Sequence, residues 1–316
     1  MKAIDEFNGF LFELGAKRKF VPVFEEGDLF HYTSPEGMNS ILFSNENEIE
    51  LFASRCDCVN DTSEGKYIID VYNEAITELC KENQITDRQF YNIKSILPSD
   101  KELIYTYDEN GCVSVAERKC NKYICCFSTD VDSLAMWNYY SKNSKYQGYN
   151  IAFLDIEAME SLHKYFSGIS VNWYEVIYDC KDQKELIKEF VLEILKYFDN
   201  VSISSIKSVI SFQLAEWGKC FKHPCFAHEK EVCVVVSIPQ DEEHELLPVE
   251  YRQKDMFIIP FIRLRFSKQS LSSVTISPLY CTEGEKEQQI KILQERLKRN
   301  KYETCDVHPS QVPIRY

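Results

Sequence analysis

The runs KEVCVVVSI (230–238) and FIIPFIRLRF (257–266) constrain the fold more than any other feature of the chain. Both are dense in β-branched and aromatic residues and alternate or run apolar, which reads as strands buried in a sheet. Similar signals predict strands at Leu29–Tyr32, IELFAS (49–54), KYICCFS (122–128), YNIAFLD (149–155) and VTISP (274–278), with Gln147-Gly148 turning the chain into the strand that follows. Between them, helical spacing predicts helices after Ser34-Pro35, where Ser34 caps and Pro35 enters the first turn, and along Tyr67, Val71, Tyr72, Ala75 and Leu79. Further helices are expected in DSLAMWNYYS, as a pair within 182–219, and at 285–300. Strands and helices do not alternate as βαβ units, so the expected class is α+β with an antiparallel-rich sheet.

With 316 residues, 44% hydrophobic and 13% aromatic, the chain can bury a large core, and no Gly/Ser- or Pro-rich linker divides it. One continuous domain over 1–316 is expected, with room for a helical insertion near 181–222. No apolar stretch reaches the roughly 18 residues of a spanning helix, and Asp5, Glu6 and Asn8 interrupt the N-terminal apolar stretch. A soluble cytoplasmic protein without a membrane partner is therefore expected. Thirteen cysteines, an odd number without regular spacing, read mostly as reduced buried thiols, Cys125 and Cys126 among them. The net charge of −14 disfavours nonspecific nucleic-acid and anionic-membrane binding, although Arg263, Arg265, Lys298 and Arg299 can supply a local basic pocket.

Five segments carry a resemblance: FHYTS (30–34), VNDTSE (59–64), CFSTDVDSLAMWNYYSKNSKYQGYNIAF (126–153), FAHEKEVC (226–233), and VTISPLY (274–280) with the terminal VPIRY. Their order resembles the bacterial family of domain of unknown function 2971. The chain departs from that pattern at Cys233, where the family usually has arginine, and at Ser277, where it usually has glycine. A second resemblance, to ADP-ribosyltransferases, implies a split antiparallel sheet with surrounding helices and NAD as co-substrate. It implies that His31 contacts a ribose hydroxyl and that Tyr32 or Trp137 offers an aromatic face to nicotinamide. In the same reading Glu231 stabilises positive charge on the ribose, and Glu229, on the same strand face by the two-residue period, orients an acceptor. Thr33, Asn60 and Asp61 complete the implied ligand-binding set. The implied acceptor is a macromolecule, protein or nucleic acid, as for a toxin or phage-defence effector with a neutralising partner.

Each residue also has a plainer reading. His31 beside Tyr32 can be a satisfied structural histidine, and Glu229 and Glu231 can form a solvated edge or pair with Arg263 or Arg265. Asp61 or Thr62 can cap the helix that follows, and Trp137 can pack with Leu134 and Met136. Cys220, His223, Cys225 and His228 form C-x2-H-x-C-x2-H, but the spacing does not suit an ordinary zinc finger, and no metal is expected there. No phosphate-binding Gly-rich loop, HExxH or nucleophile elbow is present. The class opposed to the enzyme is a noncatalytic ligand-sensing or protein-interaction module.

Overall fold

A computed structural model describes residues 2–15, 17–58, 67–107, 113–141, 146–166, 168–243, 247–254, 256–279 and 283–314. The expected strands form, as β1 (Leu29–Thr33), β2 (Glu48–Arg55), β5 (Cys120–Ser128), β6 (Tyr149–Phe153), β8 (Glu231–Pro239), β10 (Phe257–Ser267) and β11 (Leu271–Ile276). Besides β12 (Asp306–Pro309), four described strands lie where the sequence predicts none: β3 (Glu102–Tyr107) and β4 (Val113–Arg118) as a separate hairpin, β7 (Ser170–Glu175), and β9 (Glu250–Lys254). The short β12 adds the one parallel pairing to an otherwise antiparallel ten-stranded sheet.

The sheet divides along one edge of β5. Its other edge pairs with β8 over the full length, from Cys120↔Pro239 to Ser128↔Glu231. The divided edge takes β2 at Tyr123 and Ile124 and β1 only at Ser128, so β1 and β2 diverge beside residues 125–127. One arm continues as β1-β6-β11-β12 and the other as β2-β10-β9. The molecule is thus a mixed α/β protein around a large, mostly antiparallel open sheet.

Helices cover both faces, which explains why β8 is buried at all nine positions and reads as a continuous apolar run. On one face, α2 (Pro35–Phe43), α6 (Asp155–Tyr165) and α9 (Glu283–Arg299) close over Leu29, Phe127, Phe153 and Val234. On the other, α1 (Lys2–Gly15), α3 (Tyr67–Lys81), α7 (Cys180–Leu195) and α8 (Ile203–Trp217) close over Tyr174, Cys233 and Val235. The Ser34 side chain caps α2 by accepting from Gly37 N at 3.1 Å, and Thr33 lies so close to Gly37 that a Cβ there would collide with its Oγ1. No helix among the described residues is long and apolar enough to cross a membrane.

Candidate active site

The centre with the most unusual chemistry forms where β8 begins. A 3-10 turn, Pro224–Glu229, ends in Lys230, whose left-handed backbone (φ 44°, ψ 59°) redirects the chain into the strand. Glu229 and Glu231 therefore do not share a strand face by two-residue alternation, as the sequence suggested. The turn at Lys230 folds Glu229 back until its carboxyl lies under the direct influence of the Glu231 charge. Neither carboxyl forms a solvated edge, since they are 9% and 7% exposed. Nor do they pair with Arg263 or Arg265, which bond Glu50, Glu250 and Glu48 instead.

Glu231 Oε2 accepts from Lys222 Nζ at 2.7 Å and from Tyr178 OH at 2.9 Å, while Tyr178 OH accepts from Glu231 N at 3.1 Å. Lys222 and Tyr178 are brought to one place by a parallel bridge between Ile177 and Phe221, closed by Ile177 N to Cys220 O and Lys222 N to Ile177 O. Buried Gln183 clamps the same crossing, with its Nε2 donating to the carbonyls of Ile177 and Lys222 at 2.7 and 2.9 Å. Tyr140, at the end of α5 (Leu134–Tyr140), donates to Glu229 Oε1 at 3.1 Å. Its ring is 42% exposed, so it joins the buried carboxyls to the surface.

Burial, and then the neighbouring charge of Glu231, raise the Glu229 carboxyl to a pKa of about 7, against the opposing effect of Lys222. Burial likewise pushes the Tyr178 and Tyr140 phenols upward, reinforced by the adjoining carboxylates. The centre thus holds a carboxyl that exchanges its proton near neutrality, a second carboxylate facing an ammonium, and two phenols, which together are equipped for proton transfer and stabilisation of positive charge.

The other expected site residues fall in three groups. Tyr32 and Trp137 are buried at 4% and 1% exposure and pack edge to face at 5.0 Å, so neither presents an open face to a ligand. Their polar atoms are used internally: Tyr32 OH donates to Asp130 O and accepts from Ser133 N, and Trp137 Nε1 donates to Asp132 Oδ1. Both residues seat the helix whose end carries Tyr140, so they position the centre from behind.

His31 does not reach that centre. Phe30 pairs with Ser128 and Ser128 with Glu231, so these three project to one face and His31 projects to the other. There its ring meets Phe127 at 6.0 Å, on the face closed by α2, α6 and α9, beside the division of the sheet. Burial lowers its pKa to about 4, opposed by a hydrogen bond to the Cys126 backbone. His31 and Glu231 therefore do not converge on one ligand in this structure. Asn60 and Asp61, with the expected cap at Asp61 or Thr62, lie outside the described residues.

One cysteine expectation also changes. Cys126 and Cys233, directly opposed on β5 and β8 with Cα atoms 4.0 Å apart, form a disulfide, so not all the core cysteines are free thiols. Cys220, His223, Cys225 and His228 do not gather around one point. Cys220 is buried against the Glu216 and Trp217 carbonyls, Cys225 is exposed, His223 Nδ1 accepts from Cys225 N, and His228 packs on Tyr139 at 5.1 Å.

An open cleft of about 630 Å³ lies at the ends of β1, β7 and β8. No side chain of the centre lines it, and Glu25, Glu26, Asp28 and Glu175 make it a poor seat for a pyrophosphate.

Lys222, Tyr178 and Tyr140 were missed in the sequence. Tyr140 had a signal, lying three residues after Trp137 and therefore near it on the same helix. Lys222 and Tyr178 had none, because their partnership depends on a bridge between segments 44 positions apart. No curated protein and no solved structure matched the chain. Residues 136–233, a span that contains Tyr140, Tyr178, Lys222, Glu229 and Glu231 but not His31, match the family model described as "Protein of unknown function (DUF2971)".

Proposed function

We propose that the chain is an enzyme of glycosyl transfer that uses NAD as donor of ADP-ribose, with the Glu229–Glu231 pair as its reacting centre. The observation that carries this reading is the pair itself: two buried carboxyls that act on each other electrostatically, one raised to about 7 and the other facing Lys222. Pairs of carboxyls whose environments divide them into a proton-exchanging group and a charge-stabilising group serve acid–base chemistry beside a developing positive charge. In this reading the nicotinamide–ribose bond breaks with its electron pair leaving on nicotinamide, and the Glu231 carboxylate stabilises the positive charge that develops on the ribose. A nucleophile of a macromolecular acceptor, protein in preference to nucleic acid, bonds to the anomeric carbon and gives its proton to Glu229. Tyr140 and Tyr178 hold the two carboxyls, and His31 takes no part. A toxin or defence effector with a neutralising partner would follow from such an activity.

The mutual satisfaction of these groups favours a second reading, a noncatalytic module in which the network is structural. Nicotinamide release from NAD by wild type and Glu231→Gln, with and without cell lysate as acceptor, separates the two. Release that the substitution abolishes supports the enzyme. No release with or without lysate, and no binding of NAD, overturns it in favour of the module.

A further inference from the structure

The disulfide between Cys126 and Cys233 lies against the proposed centre. Its two Sγ atoms and a Glu231 carboxylate oxygen fall within 4.8 Å of one another, and among the described residues this is where three such donors gather. Cys233 is fully buried and Cys126 is only partly so, so the Cys126 side is the one from which a small reductant would approach. Two thiols and a carboxylate fixed on adjacent strands are a donor set that suits a borderline-soft dication.

We infer that on reduction Cys126, Cys233 and Glu231 bind one divalent cation of the zinc class, so that the disulfide and the cation are alternative occupants of the same place. A low-molecular-weight dithiol supplies two electrons and two protons, converting the disulfide to two thiols while it closes to its own cyclic disulfide. The dication then displaces the two thiol protons to solvent and takes both thiolates. Two positive charges enter as two protons leave, so the buried site gains no net charge and avoids the desolvation cost of an unneutralised dication. Lys222 and Tyr178 both engage Glu231 Oε2, so a metal bond through Oε1 keeps both in place and competes only with the neighbouring Glu229 carboxyl. As far as it rests on the NAD reading, the consequence is that the cation withdraws the charge of Glu231 from the ribose and stops nicotinamide release.

The test uses the full chain without NAD. Reduced with dithiothreitol, desalted under anaerobic conditions and titrated with Co2+, it should develop thiolate-to-cobalt charge-transfer bands that saturate at one equivalent. The oxidised protein should show none, Cys126→Ser and Cys233→Ser should each lose them, and Glu231→Gln should weaken binding roughly tenfold. Where a variant fails to fold, wild type alone decides: Zn2+ should protect Cys126 and Cys233 from iodoacetamide, mapped by peptide mass spectrometry, more than the other thiols. Absent bands, bands that both serine variants retain, or alkylation of the pair that Zn2+ leaves unchanged would overturn the site. Bands without nicotinamide release would leave the site standing and remove the NAD reading, whereas release without bands would do the reverse.

Discussion

Two buried acidic centres, one on the separate β3–β4 hairpin and one at the start of β8 in the large sheet, differ in charge balance. Glu102, 8% exposed, receives Lys219 at 2.6 Å and Lys122 at 3.1 Å, and although burial opposes it, these ammonium groups hold its pKa down to about 2. At the start of β8 the proportion is reversed, since two carboxyls share Lys222 and Glu229 rises to about 7. The first arrangement has its charges matched and serves stability. The second keeps a proton that leaves near neutral pH, which stability alone does not require.

Substitution should separate the two centres most sharply where a buried charge loses its partners. Lys219→Ala should lower stability by about 3–5 kcal/mol in chemical denaturation, because Glu102 and Glu216 lose a close cation, while the folded protein keeps its nicotinamide release. Glu231→Gln should do the opposite, reducing release by about 100- to 1,000-fold, near 3–4 kcal/mol of transition-state stabilisation, with a smaller change in denaturation midpoint. Equal stability losses with unchanged release would make the centres equivalent and remove the comparison.

Effects of pH come next in size. A carboxyl with a raised folded-state pKa contributes stability that is full below its ordinary value of 4.5 and is lost as pH rises through about 7. Denaturation between pH 4.5 and 7 should therefore show a loss of about 1–3 kcal/mol that Glu229→Gln removes. His31 has the reverse sign. Its depressed pKa of about 4 gives stability that is present above 6.5 and lost as pH falls toward 4, and His31→Gln should flatten that limb. The smallest effect belongs to Tyr32→Phe, which removes the hydroxyl joining Asp130 O and Ser133 N. It should cost about 1–2 kcal/mol in stability, with release changed less than by Glu231→Gln.

Much of the fold is legible in the chain because apolar pattern and burial coincide. KEVCVVVSI reads as a buried strand, and Ser34-Pro35 gives the start of α2. In β7 the signal is weak but present, since Val171 and Trp173 alternate inward along SVNWYE. β9 offered none: it is an edge strand whose Tyr251 is exposed and whose other residues are polar or charged. In the site, Glu229 and Glu231 can be picked from the sequence, but their geometry cannot, because the left-handed Lys230 replaces strand alternation. The separation of His31 from Glu231 is illegible for a related reason. The face of His31 depends on the registers Phe30↔Ser128 and Ser128↔Glu231, which join segments that no local period connects. The two phenols and Lys222 depend on the same long-range placement.

Carboxyl-carbon NMR titration of wild type and Glu229→Gln tests the central claim most directly. The charge imbalance predicts one glutamate carboxyl titrating near pH 7, absent from the Glu229→Gln spectrum and retained in Lys219→Ala. A spectrum in which every carboxyl titrates below pH 5, or in which the signal near 7 survives Glu229→Gln, would contradict it.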